Sequence, residues 1–67
     1  MLKIPDFTKP EIDSILANAN FTGQEAQLFE LRNKEYSLDR CAEQMNVSTS
    51  TVKRLNKKML SKIIRVI

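Results

Sequence analysis

"SLDRCAEQMNVSTSTVKRL", residues 37–55, packs two short helical patterns into a stretch with almost no loop between them. Leu38, Cys41, Ala42 and Met45 recur at i, i+3, i+4 and i+7, the spacing of one helical face, behind Ser37 as a candidate N-cap. A second apolar rhythm, carried by Val52 and Leu55, begins just beyond a run of four hydroxyl residues. Two helices joined so tightly can bury their apolar faces against each other only at a steep angle. The geometry sets three local demands. The first helix needs a small residue where the second crosses it, and Ala42 supplies one. The turn needs a residue that accepts left-handed φ/ψ, and Asn46 does so at lower cost than most non-glycine residues. The second helix needs an apolar side chain pointing back into the angle. Val52 meets that need, with Leu55 a turn further on and Val47 closing the small core.

Working outward, two more helices precede this pair. "TKPE" (8–11) is a capping box in which Thr8 caps and Glu11 reaches back, with Pro10 tolerated in the first turn. Phe7 is placed to staple onto Ile12, and Ile12, Ile15, Leu16 and Ala19 form one stripe predicted to be buried. "TGQE" (22–25) is a second capping box, opening a helix that carries Ala26, Leu28, Phe29 and Leu31 inward. No segment alternates with period two, so no strand is predicted. The expected fold is all-α, a single four-helix domain over residues 1–67. Its helices lie at about 8–19, 22–34, 38–45 and 49–67, with a helix-turn-helix motif over 37–57 and residues 1–6 loosely held. The last helix meets no glycine or proline and would run about 28 Å.

Size and composition narrow the functional classes. A chain of 67 residues supports a thin core and no large enclosed active site. Cys41 is the single cysteine, and on an apolar helical face it reads as a small core residue. Histidine is absent, and one thiol cannot build a zinc site, so no metal or cofactor is implied. Without histidine, and with no acid pair beside a nucleophile, general acid–base chemistry has few players, and the chain does not read as an enzyme. Asp39 and Glu43 share a helical face but belong to a solvated surface. "MLKIPDFTKPE" (1–11) is broken by prolines and acids and holds no secretory core, and no window approaches a membrane span. The expected location is the cytoplasm, at the nucleoid.

Charge is unevenly distributed. Residues 1–47 carry a net −3, whereas residues 48–67 hold six bases, no acid and a net +6. A one-signed final segment on a mildly acidic body points to a polyanionic partner. Cations near a helix C-terminus also complement the helix dipole, which accounts for Lys62 and Arg65. It does not account for Lys53 and Arg54, which sit near the start of the helix.

The spacing of Ala42, Asn46 and Val52 resembles the helix-turn-helix pattern of Ala, Gly four positions on and Val or Ile ten positions on, departing at Asn46. Over residues 21–63 the ordered set "FT-x-x-E", "LR", "YS" and "A-E-Q-M-N-V-S-T-S-T-V-K" resembles the four-helix modules of sigma-factor region 4 and of LuxR-type (GerE-like) regulators. The resemblance covers about two-thirds of the chain. It implies a double-stranded DNA-binding transcription regulator of bacterial or phage type, with a recognition helix over 49–58 in the major groove. It places Thr49, Ser50, Lys53 and Arg54 toward the groove and turns Val52 and Leu55 inward. Ser48 reads first as a cap, yet four hydroxyls in a row exceed what a cap requires, so Ser48 joins the candidate contacts. Arg54 is the candidate base reader, since arginine to guanine is the commonest specific pairing. Lys53, Lys57 and Lys58 are assigned to phosphates, as are Ser37 and Arg40 at the start of the preceding helix.

The apolar tail completes the expectations. Val52, Leu55, Met59, Ile63 and Val66 form one stripe, and Leu60, Ile64 and Ile67 a second beside it. The first helix can cover part of this surface, and core packing is the default reading of the stripe. The far end of a long helix has few neighbours, so a homodimer is predicted through Met59, Leu60, Ile63, Ile64 and Ile67. An alternative class is a protein-interaction module of sigma or anti-sigma type, with RNA polymerase as partner and the same basic helix meeting an acidic protein surface.

Overall fold

Thr8 starts the first helix as the sequence implies. Its hydroxyl accepts the Glu11 backbone N–H, while the Glu11 carboxylate accepts the Thr8 N–H at 2.9 Å. That box opens α1 (Lys9–Asn18) in the structure, a computed structural model that describes residues 7–67. The loose hold predicted for residues 1–6 lies outside the described residues. Thr22 and Glu25 form the second reciprocal box and open α2 (Gly23–Asn33). Ser37 caps α3 (Leu38–Met45), and Ser48 caps α4 (Thr49–Val66). The described residues are all-helical, four helices with no strand, each within a residue or so of its predicted span.

The helices end without help from glycine. The chain's one glycine, Gly23, lies in the first turn of α2, and left-handed φ falls on Asn20 (55°), Glu35 (63°) and Asn46 (59°). After α2 the Tyr36 N–H reaches back to Leu31 O at 3.3 Å and the Glu35 N–H to Arg32 O at 3.0 Å. After α3 the Val47 N–H bonds Ala42 O at 3.1 Å and the Asn46 N–H bonds Glu43 O at 3.3 Å. Both are Schellman closures, which satisfy carbonyls that a helix C-terminus would otherwise leave unpaired. Asparagine tolerates the left-handed region. Glu35 gains no such local benefit, and its place there was not legible from residue type.

One core holds the four elements together. Ile15 and Ala19 from α1 and its cap meet Leu28 and Phe29 of α2, Cys41 and Ala42 of α3, and Val52, Met59 and Ile63 of α4. Phe21 tilts against Phe29 with ring centroids 5.4 Å apart. Phe7, Ile12, Val47 and Leu55 are partly buried against the same cluster. Burial pushes the Cys41 thiol up from its ordinary pKa, with the Arg32 charge opposing, so the sulfur packs as a small apolar group. α4 is about 27 Å long, close to the 29 Å long axis of the molecule, and α2 and α3 pack along it while α1 touches it more lightly.

Two expectations about burial are corrected. Leu16, predicted to lie in the buried stripe of α1, is 48% exposed, because α1 makes limited contact with its neighbours and only Ile15 and Ala19 face the core squarely. Met59 and Ile63, predicted in a dimer interface, are fully buried within the chain. α1 and α2 both pack against α4, and its inner stripe is core from Val52 to Ile63.

Candidate nucleic-acid interface

A helix with one face locked into a core must present the other to solvent, and α4 does so along its full length. With Val52, Met59 and Ile63 inward, a rotation of about 100° per residue carries Ser50, Lys53, Arg54, Lys57 and Lys58 outward, and all five are exposed. Thr49 is half-buried. Among the described residues none of these cations forms an ion pair, so their charge is available to a partner.

The hydroxyl run divides into two pairs. Ser48 Oγ accepts the Thr51 N–H at 3.2 Å and lies 2.9 Å from Thr51 Oγ1, so these two hydroxyls are engaged in the cap. Thr49 and Ser50 have no hydrogen-bond partner for their side chains among the described residues. Ser37 is likewise engaged, its oxygen accepting the Arg40 N–H at 3.2 Å. The Arg40 guanidinium lies over the Tyr36 ring, 5.0 Å from its centroid, which fixes it on the rim of α3 rather than on α4. Ser37 and Arg40 therefore form a second exposed group on the neighbouring helix.

Sequence reasoning missed a feature that joins the start of α2 to the distal half of α4. Lys62 Nζ meets the Glu25 carboxylate at 2.5 Å and also donates to Asn20 O at 3.2 Å. Glu25 is nearly fully buried, and burial pushes its pKa up. The ammonium of Lys62 and the Thr22 hydrogen bonds outweigh that, and the carboxyl sits below its usual range. One carboxylate thus closes the capping box of α2 and anchors the distal half of α4. Lys62 is an internal tie, and its charge is compensated, leaving five of the six bases of residues 48–67 outside any ion pair among the described residues.

Beside that tie runs an open groove between the start of α2 and the outer face of α4. Arg54, Lys57, Lys58, Ser61 and Arg65 line one wall, with Thr22 opposite. Ser61 and Arg65 were not among the predicted contacts, although their i, i+4 and i+7 spacing from Arg54, Lys57 and Lys58 was visible. On the other edge of α4, Ile64 and Ile67 are 62% and 63% exposed and Leu60 is half-buried.

No family model, no curated protein and no solved structure matches the chain.

Proposed function

We propose that this protein binds double-stranded DNA as a transcription regulator, with residues 37–57 acting as a helix-turn-helix and α4 entering the major groove by its N-terminal half. The observation that carries it is the outer face of α4. Ser50, Lys53, Arg54, Lys57 and Lys58 stand exposed and outside any ion pair among the described residues, on a helix whose opposite face is pinned by fully buried Val52, Met59 and Ile63. A major groove about 12 Å wide admits one helix of this kind. Thr49 and Ser50 offer free hydroxyls at its tip, Arg54 offers a bidentate donor to guanine, and Lys53, Lys57 and Lys58 meet phosphates. Arg40 and Ser37 meet the backbone beside the groove.

The same reading pairs two copies on adjacent half-sites about 34 Å apart. With Met59 and Ile63 in the core, the contact is confined to Leu60, Ile64 and Ile67. Three aliphatic side chains fall far short of the roughly 800 Å² per partner typical of a stable interface. The dimer therefore assembles on DNA rather than in solution.

Selection of bound duplexes from a random pool, followed by titration at several salt concentrations, tests the proposal. Arg54→Ala should relax preference at one base position, costing about 10- to 100-fold on the selected site and little elsewhere. Lys57→Ala should weaken all duplexes alike. Affinity indifferent to ionic strength would refute DNA binding, and equal losses on every sequence from Arg54→Ala would refute its role as base reader.

A further inference from the structure

We infer that the groove between α2 and the distal half of α4 seats the sugar–phosphate backbone of one DNA strand, with Ser61 and Arg65 as contacts that carry the interface well beyond the recognition turns. The inference rests on the DNA-binding reading above and assigns its outer limit. Helical rotation divides the outward side of α4 into lanes. Ser50, Arg54 and Ser61 lie within about 40° of one another along the centre. Lys53 and Lys57 flank them on one side, and Lys58 and Arg65 on the other. A helix body about 10–12 Å across fills a major groove of similar width, so the two flanks face opposite phosphate walls.

The flank toward α2 is the one with depth. There Lys58, Ser61 and Arg65 line a concave surface together with Arg54 and, from its outer rim, Lys57, over about 16 Å of helix from residue 54 to residue 65. Its one acidic lining residue, Glu25, is buried and paired with Lys62, so no exposed carboxylate in the groove repels an anion. The apolar side chains of the distal half, Leu60, Ile64 and Ile67, fall on the opposite edge. A second copy of the chain therefore meets the edge away from the groove, in the turns beyond Lys53 and Lys57.

The test is a titration of a fluorescent duplex of random sequence over a range of salt, using the full chain, Arg65→Ala, Arg65→Lys and Ser61→Glu. Arg65→Ala should make the log–log salt dependence shallower by about 0.9, the loss of one phosphate contact, with equal weakening on every duplex. Arg65→Lys should keep the slope. Ser61→Glu, which places a carboxylate in the groove without disfavouring helix, should lower affinity about 10-fold or more at low salt. If Arg65 merely complements the helix dipole, Arg65→Ala will shift the melting midpoint and leave the slope untouched, which overturns the inference. A steep slope for the unmodified chain that neither Arg65→Ala nor Ser61→Glu alters would remove the groove from the interface and leave the recognition turns standing. A chain that binds no duplex at low salt would overturn both.

Discussion

Severing the tie between Lys62 and Glu25 should cost this small fold much of its stability, and by a non-additive amount. Glu25 serves two structures at once, so the substitution must separate them. Glu25→Gln keeps the capping box, because glutamine at that position also reaches the cap N–H, and removes only the charge. Lys62→Met keeps the aliphatic stem and leaves a carboxylate with 3% of its side chain exposed facing no cation. Breaking a fully buried pair from one side costs about 3–5 kcal/mol. Lys62 retains 28% side-chain exposure, so water can still reach the site, and about 2–3 kcal/mol is the better expectation. A single core in a domain of this size supplies about 3–5 kcal/mol in total. Lys62→Met should therefore populate the unfolded state measurably near body temperature. Glu25→Gln should cost about 1–2 kcal/mol, since a neutral amide beside an ammonium is the milder mismatch. The double variant should be less destabilised than the sum of the two by at least about 1 kcal/mol. Urea unfolding followed by far-ultraviolet circular dichroism closes the cycle. Losses that add to within about 0.5 kcal/mol would refute the coupling and make the contact a surface ornament.

Two further outcomes follow from local geometry. Asn46→Gly should be close to neutral, whereas Asn46→Val should cost about 1–2 kcal/mol, because a β-branched side chain at φ 59° meets its own backbone; thermal melts of the two variants check the difference. Stability should also fall on acidification. Glu25 has its pKa lowered on folding, so its contribution is fully present above the unfolded value near 4.5 and is lost as pH falls through the lower folded one. Melts at stepped pH should show the midpoint dropping below about pH 4.5, and Glu25→Gln should flatten that limb.

Much of the fold was legible because its signals are local. A capping box spans three residues, and both boxes stand where "TKPE" and "TGQE" place them. Asn46 takes the left-handed turn, and Cys41, Ala42 and Val52 are buried, since each demand there arises within a dozen residues. What stayed illegible depends on distant neighbours. Periodicity marks the inner stripe of α4 but does not say whether the chain's own helices or a partner cover it, and both Met59 and Ile63 prove to be core. The reverse error fell on Leu16, a stripe position whose neighbour does not reach it. Lys62 and Glu25 are 37 residues apart, and Glu25 already had a complete local explanation as a capping residue. Nothing in either stretch announced the pairing. Of the outer face of α4, Arg54, Lys57 and Lys58 were read from the charge run. Ser61 and Arg65 share their groove, but a lone serine carries no charge signal and a cation near a helix end already has a sufficient cause in the dipole.

The compensated lysine also separates formal charge from binding charge. Counting residues credits the final segment with +6, and a purely electrostatic account would let any one of its bases contribute to the proposed attraction for DNA. The structure distinguishes them, since Lys62 commits two of its three ammonium protons to a buried carboxylate and the backbone of Asn20, and its charge is compensated there. The Glu25→Gln/Lys62→Met variant removes one formal cation from the segment together with its internal counter-charge, leaving the outward lanes as they were. Its salt slope on duplex should match the unmodified chain within about 0.3, whereas Lys57→Ala should lose about 0.9. The comparison is made at a temperature where circular dichroism finds the double variant folded. A slope reduced as much by the double change as by Lys57→Ala would mean that Lys62 leaves its carboxylate to meet DNA. α4 would then be held to the rest of the fold by its apolar stripe alone.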